Sequence, residues 1–259
     1  VFVAVSPLVW LLFGSLKMDK ELFANPFALF PENPTFENYR SLFVRVDFGK
    51  YFVNSMMVAV VSTIVAVAVA VTAGYSLVRF RFRGAGILSS LLLYAYMIPP
   101  ILLVLPIYSI LIKMGLRDSL GALIIVRTAA TIPFCLWLAS SYCHGLSIDL
   151  EEAAMIDGAS RLKAFQSVVI PQLIPAVISL GIQSFIMAWN DLLYSKILIA
   201  SDAKRTVPLA ISTMFGKESL YPWGVILAAS VVATVPVLFL FTFGVDKLVA
   251  GWGEGSLKG

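Results

Sequence analysis

An all-α protein that crosses a membrane six times is the fold class this sequence predicts, and three observations predict it. Hydrophobic residues make up 59% of the 259 residues and charged residues only 13%, about half the charged share of a soluble domain. The apolar residues fall in runs long enough to cross a ~30 Å hydrocarbon core as helix, which takes about 20 residues. Those runs are continuous and do not alternate in polarity, so they are helices and not barrel strands.

The spans follow in order. The run 1–16 is the first; it opens on Val1 in the middle of an apolar segment, so the native start is expected upstream. The second, 52–78, holds no charged residue, and the third, 85–112, is also uncharged but interrupted by Pro99, Pro100 and Pro106. Those prolines predict a kinked or broken helix. A break is tolerated in a bilayer where protein or a water-filled path satisfies the freed carbonyls, so an ordinary kink and a place on a translocation path both fit. The fourth, fifth and sixth spans are 120–142, 173–199 and 223–245, and the whole chain 1–259 reads as one transmembrane domain.

Orientation follows from the loops. Arg79, Arg81 and Arg83 crowd the link after the second span with no acid among them, the pattern retained in the cytoplasm. With six spans, the loop 143–172 and the tail 248–259 share that side, and 17–50, 113–119 and 201–222 face outward. The first outer loop carries Phe23, Phe27, Phe30 and Phe36 among Pro26, Pro31 and Pro34; it is too apolar for a disordered linker and is expected to pack as an external cap.

Several function classes drop out. The net charge of +4 comes from basic residues scattered among apolar runs, with no basic patch interleaved with aromatics, so no nucleic acid is expected. Cys135 and Cys143 match no metal or redox spacing and read as small buried hydrophobes. His144, the single histidine, cannot build a multi-histidine zinc site, and no HExxH occurs; it reads as a surface contact. No metal site is expected.

One stretch departs from the apolar pattern: EEAAMIDGASRLKAFQSVVIPQLIP, residues 151–175. Ser147 suits a helix N-cap, and Asp149, Glu151 and Glu152 place negative charge on the first turn, where free amides and the helix dipole favour it. Leu150, Ala153 and Ala154 share a face, and the alanines let another backbone approach closely. Asp157-Gly158 stops this helix, glycine supplying a left-handed turn, and Ser160 caps a second helix expected to run to Pro171. A helix lying on lipid is disfavoured, because its acidic start would be repelled by anionic headgroups.

The series Glu152-Ala153-Ala154, Asp157-Gly158-Ala159-Ser160, Phe165, Ile170-Pro171 and Pro175 resembles the EAA loop of binding-protein-dependent ABC importers, and within them the carbohydrate permeases of the maltose-transporter type. Ser15-Leu16-Lys17 with Pro26, Pro31 and Phe36-Glu37-Asn38-Tyr39 is similar to that family's outer loop. Trp189-Asn190-Asp191 is similar to its WN-acid signature, and Ala250-Gly251-Trp252 through Leu257-Lys258-Gly259 to its tail. The sequence departs at Ser147, where many relatives have proline, and at Trp252-Gly253-Glu254.

The resemblance implies a permease subunit that imports a sugar by alternating access. Its partners would be two copies of an ABC ATPase, a distinct second permease and an external solute-binding protein, in a bacterial or archaeal cytoplasmic membrane. No phosphate-binding Gly-x-x-x-x-Gly-Lys-Ser/Thr loop is present, so ATP and magnesium would sit on the partner ATPase, with no cofactor on this chain and no enzymatic activity of its own. The resemblance assigns coupling to the loop 147–171 through Glu151, Glu152, Ala153, Ala154, Asp157, Gly158 and Ala159, and to the tail through Leu257, Lys258 and Gly259. A glycerol-phosphate or polyol importer is the neighbouring alternative.

Candidate substrate contacts are polar or aromatic groups in the spans, because sugar hydroxyls need directional hydrogen bonds and sugar faces stack on rings. Tyr94 and Tyr96 lie in the third span, and Gln183, Ser184, Trp189, Asn190, Asp191 and Tyr194 in the fifth. Trp189 and Tyr194 equally suit interfacial anchors. Arg127 would cost roughly 2.5–3.5 kcal/mol if buried alone at a helix centre, so it either snorkels to the outer interface or meets an anionic substrate group or a gate salt bridge. An ion-coupled transporter would show more intramembrane ionisable residues, an intramembrane enzyme a convergent catalytic constellation, and neither explains the polar island.

Overall fold

The computed structural model describes residues 2–80, 82–216 and 221–256. Among the described residues every regular element is a helix and there is no strand. The helices are α1 (Phe2–Gly14), α2 (Asp19–Ala24), α3 (Glu37–Val44), α4 (Phe48–Arg79), α5 (Ala85–Met97), α6 (Pro100–Lys113), α7 (Leu120–Gly145), α8 (Asp149–Ile156), α9 (Arg161–Ala164), α10 (Ile170–Trp189), α11 (Leu193–Leu198), α12 (Val207–Phe215) and α13 (Trp223–Ser256).

Among the described residues four stretches are long and apolar enough to cross a membrane: Phe48–Arg79, Leu120–Gly145, Arg161–Trp189 and Trp223–Thr242. A fifth is made if α5 and α6 count as one span, and these are bent by 101° at their junction. Of the two outcomes the prolines allowed, a kink and a break, the chain takes the break. Pro100 can start a helix, where its missing N–H is not needed, and the bend leaves the α5–α6 elbow open: Met97, Leu102 and Leu105 are 65–70% exposed.

α4 is the central post, packed on α7 and α10, with α13 against α10. Its sequence explains the position. Ala59, Ser62, Ala66, Ala70 and Gly74 recur every three or four residues and are all buried, a ladder of small side chains that lets helices approach without bulky knobs. The fit is tightest at Gly74, where an added Cβ would lie 3.1 Å from both the Ala139 Cβ and the Ser140 backbone nitrogen of α7.

Several expected boundaries shift. The helix after Ser160 does not stop at Pro171: α9 passes through a π-helical turn, Phe165–Val169, directly into α10. Pro171 lies in the first turn of α10, and the π turn ahead of it accommodates the missing amide. The span expected at 173–199 ends instead at Trp189, and α11 restarts at Leu193. The helix at the span expected over 223–245, α13, continues to Ser256, so the expected tail from 248 begins inside a helix.

The segment after α1, expected to pack as an external cap, is held by polar groups as well as by the packing of Phe30 on Phe13, with ring centroids 4.9 Å apart. Phe23, Phe27, Phe30 and Phe36 are 66–95% exposed. The Asn38 amide donates to the Ser15 and Lys17 carbonyls, both at 2.8 Å, and the buried Lys17 ammonium to the Ala28 carbonyl at 2.5 Å. The Asp19 carboxylate receives the amides of Trp223 and Gly224, each at 3.0 Å, which ties the loop to the start of α13.

Candidate functional site

The polar island folds as the sequence predicts in its turns. Ile148, not Ser147, is the residue flanking α8, but the Ser147 hydroxyl still receives the Asp149 amide at 3.2 Å. Gly158 has φ +92°, a conformation that side chains resist and glycine does not. The amide of Ala159 closes the turn on the Ala154 carbonyl at 3.0 Å. Ser160 caps α9 by accepting the Lys163 amide at 3.3 Å.

The two glutamates of α8 face opposite ways. Glu152 and Ala153 are exposed and flanked by the exposed apolar residues Ile148, Leu150, Ile156 and Leu162. Glu151 is 5% exposed. Its carboxylate accepts from Arg79 Nε at 2.6 Å and from the Tyr75 hydroxyl at 2.9 Å, and Arg79 also donates to the Leu146 carbonyl at 3.0 Å. The Tyr75 ring lies 4.5 Å from that of Phe165, and Arg161 stands 5.3 Å over Phe80. The arginine-rich link and the island therefore meet at one end of the bundle. In the sequence Arg79 reads only as a topological charge, and nothing in its spacing names Glu151 as its partner. Arg81 and the tail residues Leu257, Lys258 and Gly259 lie outside the described residues.

A second polar assembly forms where α10 breaks. Ending α10 at Trp189 leaves late carbonyls without helical partners, and Arg127 of α7 takes the one on Met187 at 2.6 Å. Its other terminal nitrogen sits 3.4 Å from the Asp191 carboxylate, and Asp191 in turn receives the Ser195 amide and hydroxyl, both at 3.0 Å, at the start of α11. A cation thus meets a helix C-terminus and an anion a helix N-terminus, each favoured by the dipole. Arg127 is 8% exposed and turned inward; the snorkelling alternative is overturned, because an acceptor carbonyl and a carboxylate lie within the bundle.

The remaining substrate-path candidates do not gather in one place. Trp189 is 2% exposed, stacked on Phe185 and bonded through its indole N–H to the Ala233 carbonyl at 3.1 Å, which makes it a packing residue and not an interfacial anchor. Tyr194 is buried 5.9 Å beneath Arg127, so it is not an interfacial anchor either. Ser184 is buried within hydrogen-bonding distance of Cys135, at 3.0 Å. Trp189 and Asn190 line a cavity of about 340 Å³ with Pro208 and Thr234. Arg127, Tyr96 and Tyr194 line another, of about 610 Å³, otherwise apolar. Gln183 and Tyr94 are exposed and line neither.

At the opposite end of the bundle from Glu151, Asp118 joins two loops. Left-handed at φ 48°, it accepts the amides of Ala200 at 2.8 Å and Ser201 at 3.1 Å, and Lys204 donates to it at 3.2 Å. The Ser201 and Ala200 amides, in that order, hold its carboxyl well below the usual carboxylate range. Among the described residues no cluster of histidine, cysteine and carboxylate side chains could hold a metal.

This architecture has known counterparts. Over 253 residues the chain is 36% identical to a sulfoquinovosyl glycerol transport system permease protein of Agrobacterium fabrum, covering 98% of this chain and 88% of that one. It is 33% identical to a trehalose transport system permease protein of Mycobacterium tuberculosis, covering 99% and 93%, and 32% identical to a trehalose/maltose transport system permease protein of Thermococcus litoralis, covering 99% and 92%. The fold is similar to a chain of a bacterial ABC transporter involved in the import of the acidic polysaccharide alginate, with a TM-score of 0.81 at 19% identity over 95% of this chain and 91% of that one. The family model described as binding-protein-dependent transport system inner membrane component matches residues 62–251, and the chain belongs to that family.

Proposed function

We propose that the chain is the permease subunit of an ATP-driven importer that moves a sugar, delivered by an external binding protein, across the cytoplasmic membrane. The observation that carries this reading is α8: a short helix at the bundle's end, held from behind by Arg79, that presents Glu152, Ala153, Leu150 and Ile156 outward, with Ile148 just before it and Leu162 of α9 also exposed. Apolar side chains clustered on an exposed polar loop mark a protein contact. The transport systems in the relatives' names, for trehalose, maltose and a sulfoquinovosyl glycerol, support the sugar assignment.

In this reading the chain makes six spans, with α1 as part of the first and α5–α6 as the broken third. The Arg79 end faces the cytoplasm. The coupling loop 147–171 docks an ATPase through Glu152, Ala153 and Ala154, with Asp157, Gly158 and Ala159 shaping the turn and the tail residues Leu257, Lys258 and Gly259 assisting. Two ATPase copies supply ATP hydrolysis with their own magnesium, and this chain holds neither cofactor nor catalytic residue. A second, distinct permease completes the path. The path candidates on this chain are Asn190 beside Trp189, and Arg127 with Tyr96 and Tyr194; Asp191 matches the Arg127 charge, so Arg127 offers no unpaired charge to a phosphate on the cargo.

Glu152→Ala and Ala153→Trp test the assignment. Both positions are exposed, so the fold tolerates them, whereas a tryptophan blocks close approach of a partner. The expected result is loss of ATPase co-purification with the permease pair. Retention of the ATPase at the native level in both variants would rule out α8 as the docking element.

A further inference from the structure

The covalent route from α8 into the spans is soft. Between α8 and the body of α10 lie the left-handed Gly158, the π-helical turn Phe165–Val169 and two prolines, Pro171 and Pro175, each of which interrupts the regular hydrogen-bond ladder that stiffens a helix. A second route bypasses them. Glu151, on the inward face of α8, is joined to Arg79 at 2.6 Å and to Tyr75 at 2.9 Å. Arg79 also grips the Leu146 carbonyl just before α8, and Tyr75 packs on Phe165, the first residue of the π turn beyond α9. One end of α4 thus holds both arms of the island. One turn away, Gly74 leaves no slack between α4 and α7.

We infer that Glu151 is a positioning residue: through Arg79 and Tyr75 it makes α8 and the adjoining end of α4 one mechanical body, so that a displacement of α8 enters the spans through α4 and α7. The inference rests on the reading of α8 as the docking element. The side-chain exposures of Arg79 and Glu151, 9% and 6%, leave Glu151 no surface for an ATPase, which separates its role from that of Glu152. The buried pair also explains why two adjacent glutamates are used, one for the partner and one for the chain's own framework.

The test uses the whole importer in proteoliposomes and reads two quantities, ATPase co-purification and ATP hydrolysed per sugar moved. Glu151→Gln is expected to keep the ATPase bound and to raise ATP consumption per sugar by at least about fivefold, the lower end of ordinary coupling energies. The exchange of charges, Arg79→Glu with Glu151→Arg, is expected to bring that ratio back toward native, which a general loss of packing would not do. Should Glu151→Gln fail to assemble with its permease partner, Tyr75→Phe removes one hydrogen bond, leaves both charges and carries the same expectation in the same direction. An unchanged ratio in a folded variant, or loss of the ATPase as complete as with Glu152→Ala, overturns the inference. Retention of the ATPase by Glu152→Ala and Ala153→Trp would instead defeat the docking assignment, whatever Glu151 does.

Discussion

Replacing Asp191 with alanine should be among the most damaging single changes in the bundle. Arg127 would keep the Met187 carbonyl at 2.6 Å but lose its carboxylate at 3.4 Å, and its Nε already has no partner in the structure. At that separation the Coulomb attraction is about 5 kcal/mol for an effective dielectric constant of 20, and desolvation of both groups offsets much of it. Stranding one member of a buried pair costs about 3–5 kcal/mol. The same carboxylate receives the Ser195 amide, a cap whose loss alone costs about 0.5–2 kcal/mol; because one side chain serves both, the two figures overlap and about 3–5 kcal/mol is the expectation for the whole. Thermal unfolding of the purified complex measures it, at roughly 2–4 °C per kcal/mol for a chain of this size. Asp191→Asn, which keeps a capping oxygen, should fall at the lower end, and Arg127→Met with Asp191→Asn should recover most of the loss, since no charge remains buried. If Asp191→Ala costs less than about 1 kcal/mol, or the double variant is as unstable as the sum of its singles, the buried pair does not hold the α10–α11 break together.

Other outcomes follow from single contacts. Gly74→Val should force α4 from α7 and destabilise by about 1–3 kcal/mol, whereas Gly86→Ala, inside α5 with nothing within 4 Å of its added Cβ, should not lower the unfolding temperature and should add up to about 1 kcal/mol of stability through helix propensity. At Gly158 the space is open and only the backbone objects: alanine should cost about 1–2 kcal/mol and asparagine less, read as weaker ATPase co-purification in that order. Asp118 has a depressed folded pKa, so its contribution is full above the unfolded value of about 3.9 and is lost as pH falls toward the folded one. Pepsin nicking of residues 199–206 should therefore set in below about pH 3.9 in the native protein and occur at every pepsin-active pH in Asp118→Asn.

The sequence made legible whatever depends on local chemistry. Continuous apolar runs marked the long helices, and glycine and serine marked the turn and cap of the island at Gly158 and Ser160. The resemblance carried by Glu152-Ala153-Ala154 and Trp189-Asn190-Asp191 named the family that the relatives share. What it missed depends on contacts distant in sequence. The pairing of Arg79 with Glu151 spans 72 residues and that of Arg127 with Asp191 spans 64; no local pattern chooses a partner at that range. The break at 190–192 was hidden because Leu192 through Ile199 is apolar enough to continue a span, and only Arg127 and Asp191 make the interruption affordable. The small-residue ladder of α4 went unread in the sequence, because which helix it receives is a property of the packed bundle. Pro171 misled because a π turn can absorb a proline that usually ends a helix.

The central claim is that α8 is the element through which an ATPase drives sugar import. Its most direct test is the initial rate of labelled-sugar uptake into proteoliposomes that hold this chain with its second permease and ATPase, with binding protein outside and ATP inside. Uptake in the native assembly should require both ATP and binding protein and be abolished by Ala153→Trp. Uptake that proceeds without ATP on an ion gradient, or that Ala153→Trp leaves at the native rate, would contradict the claim.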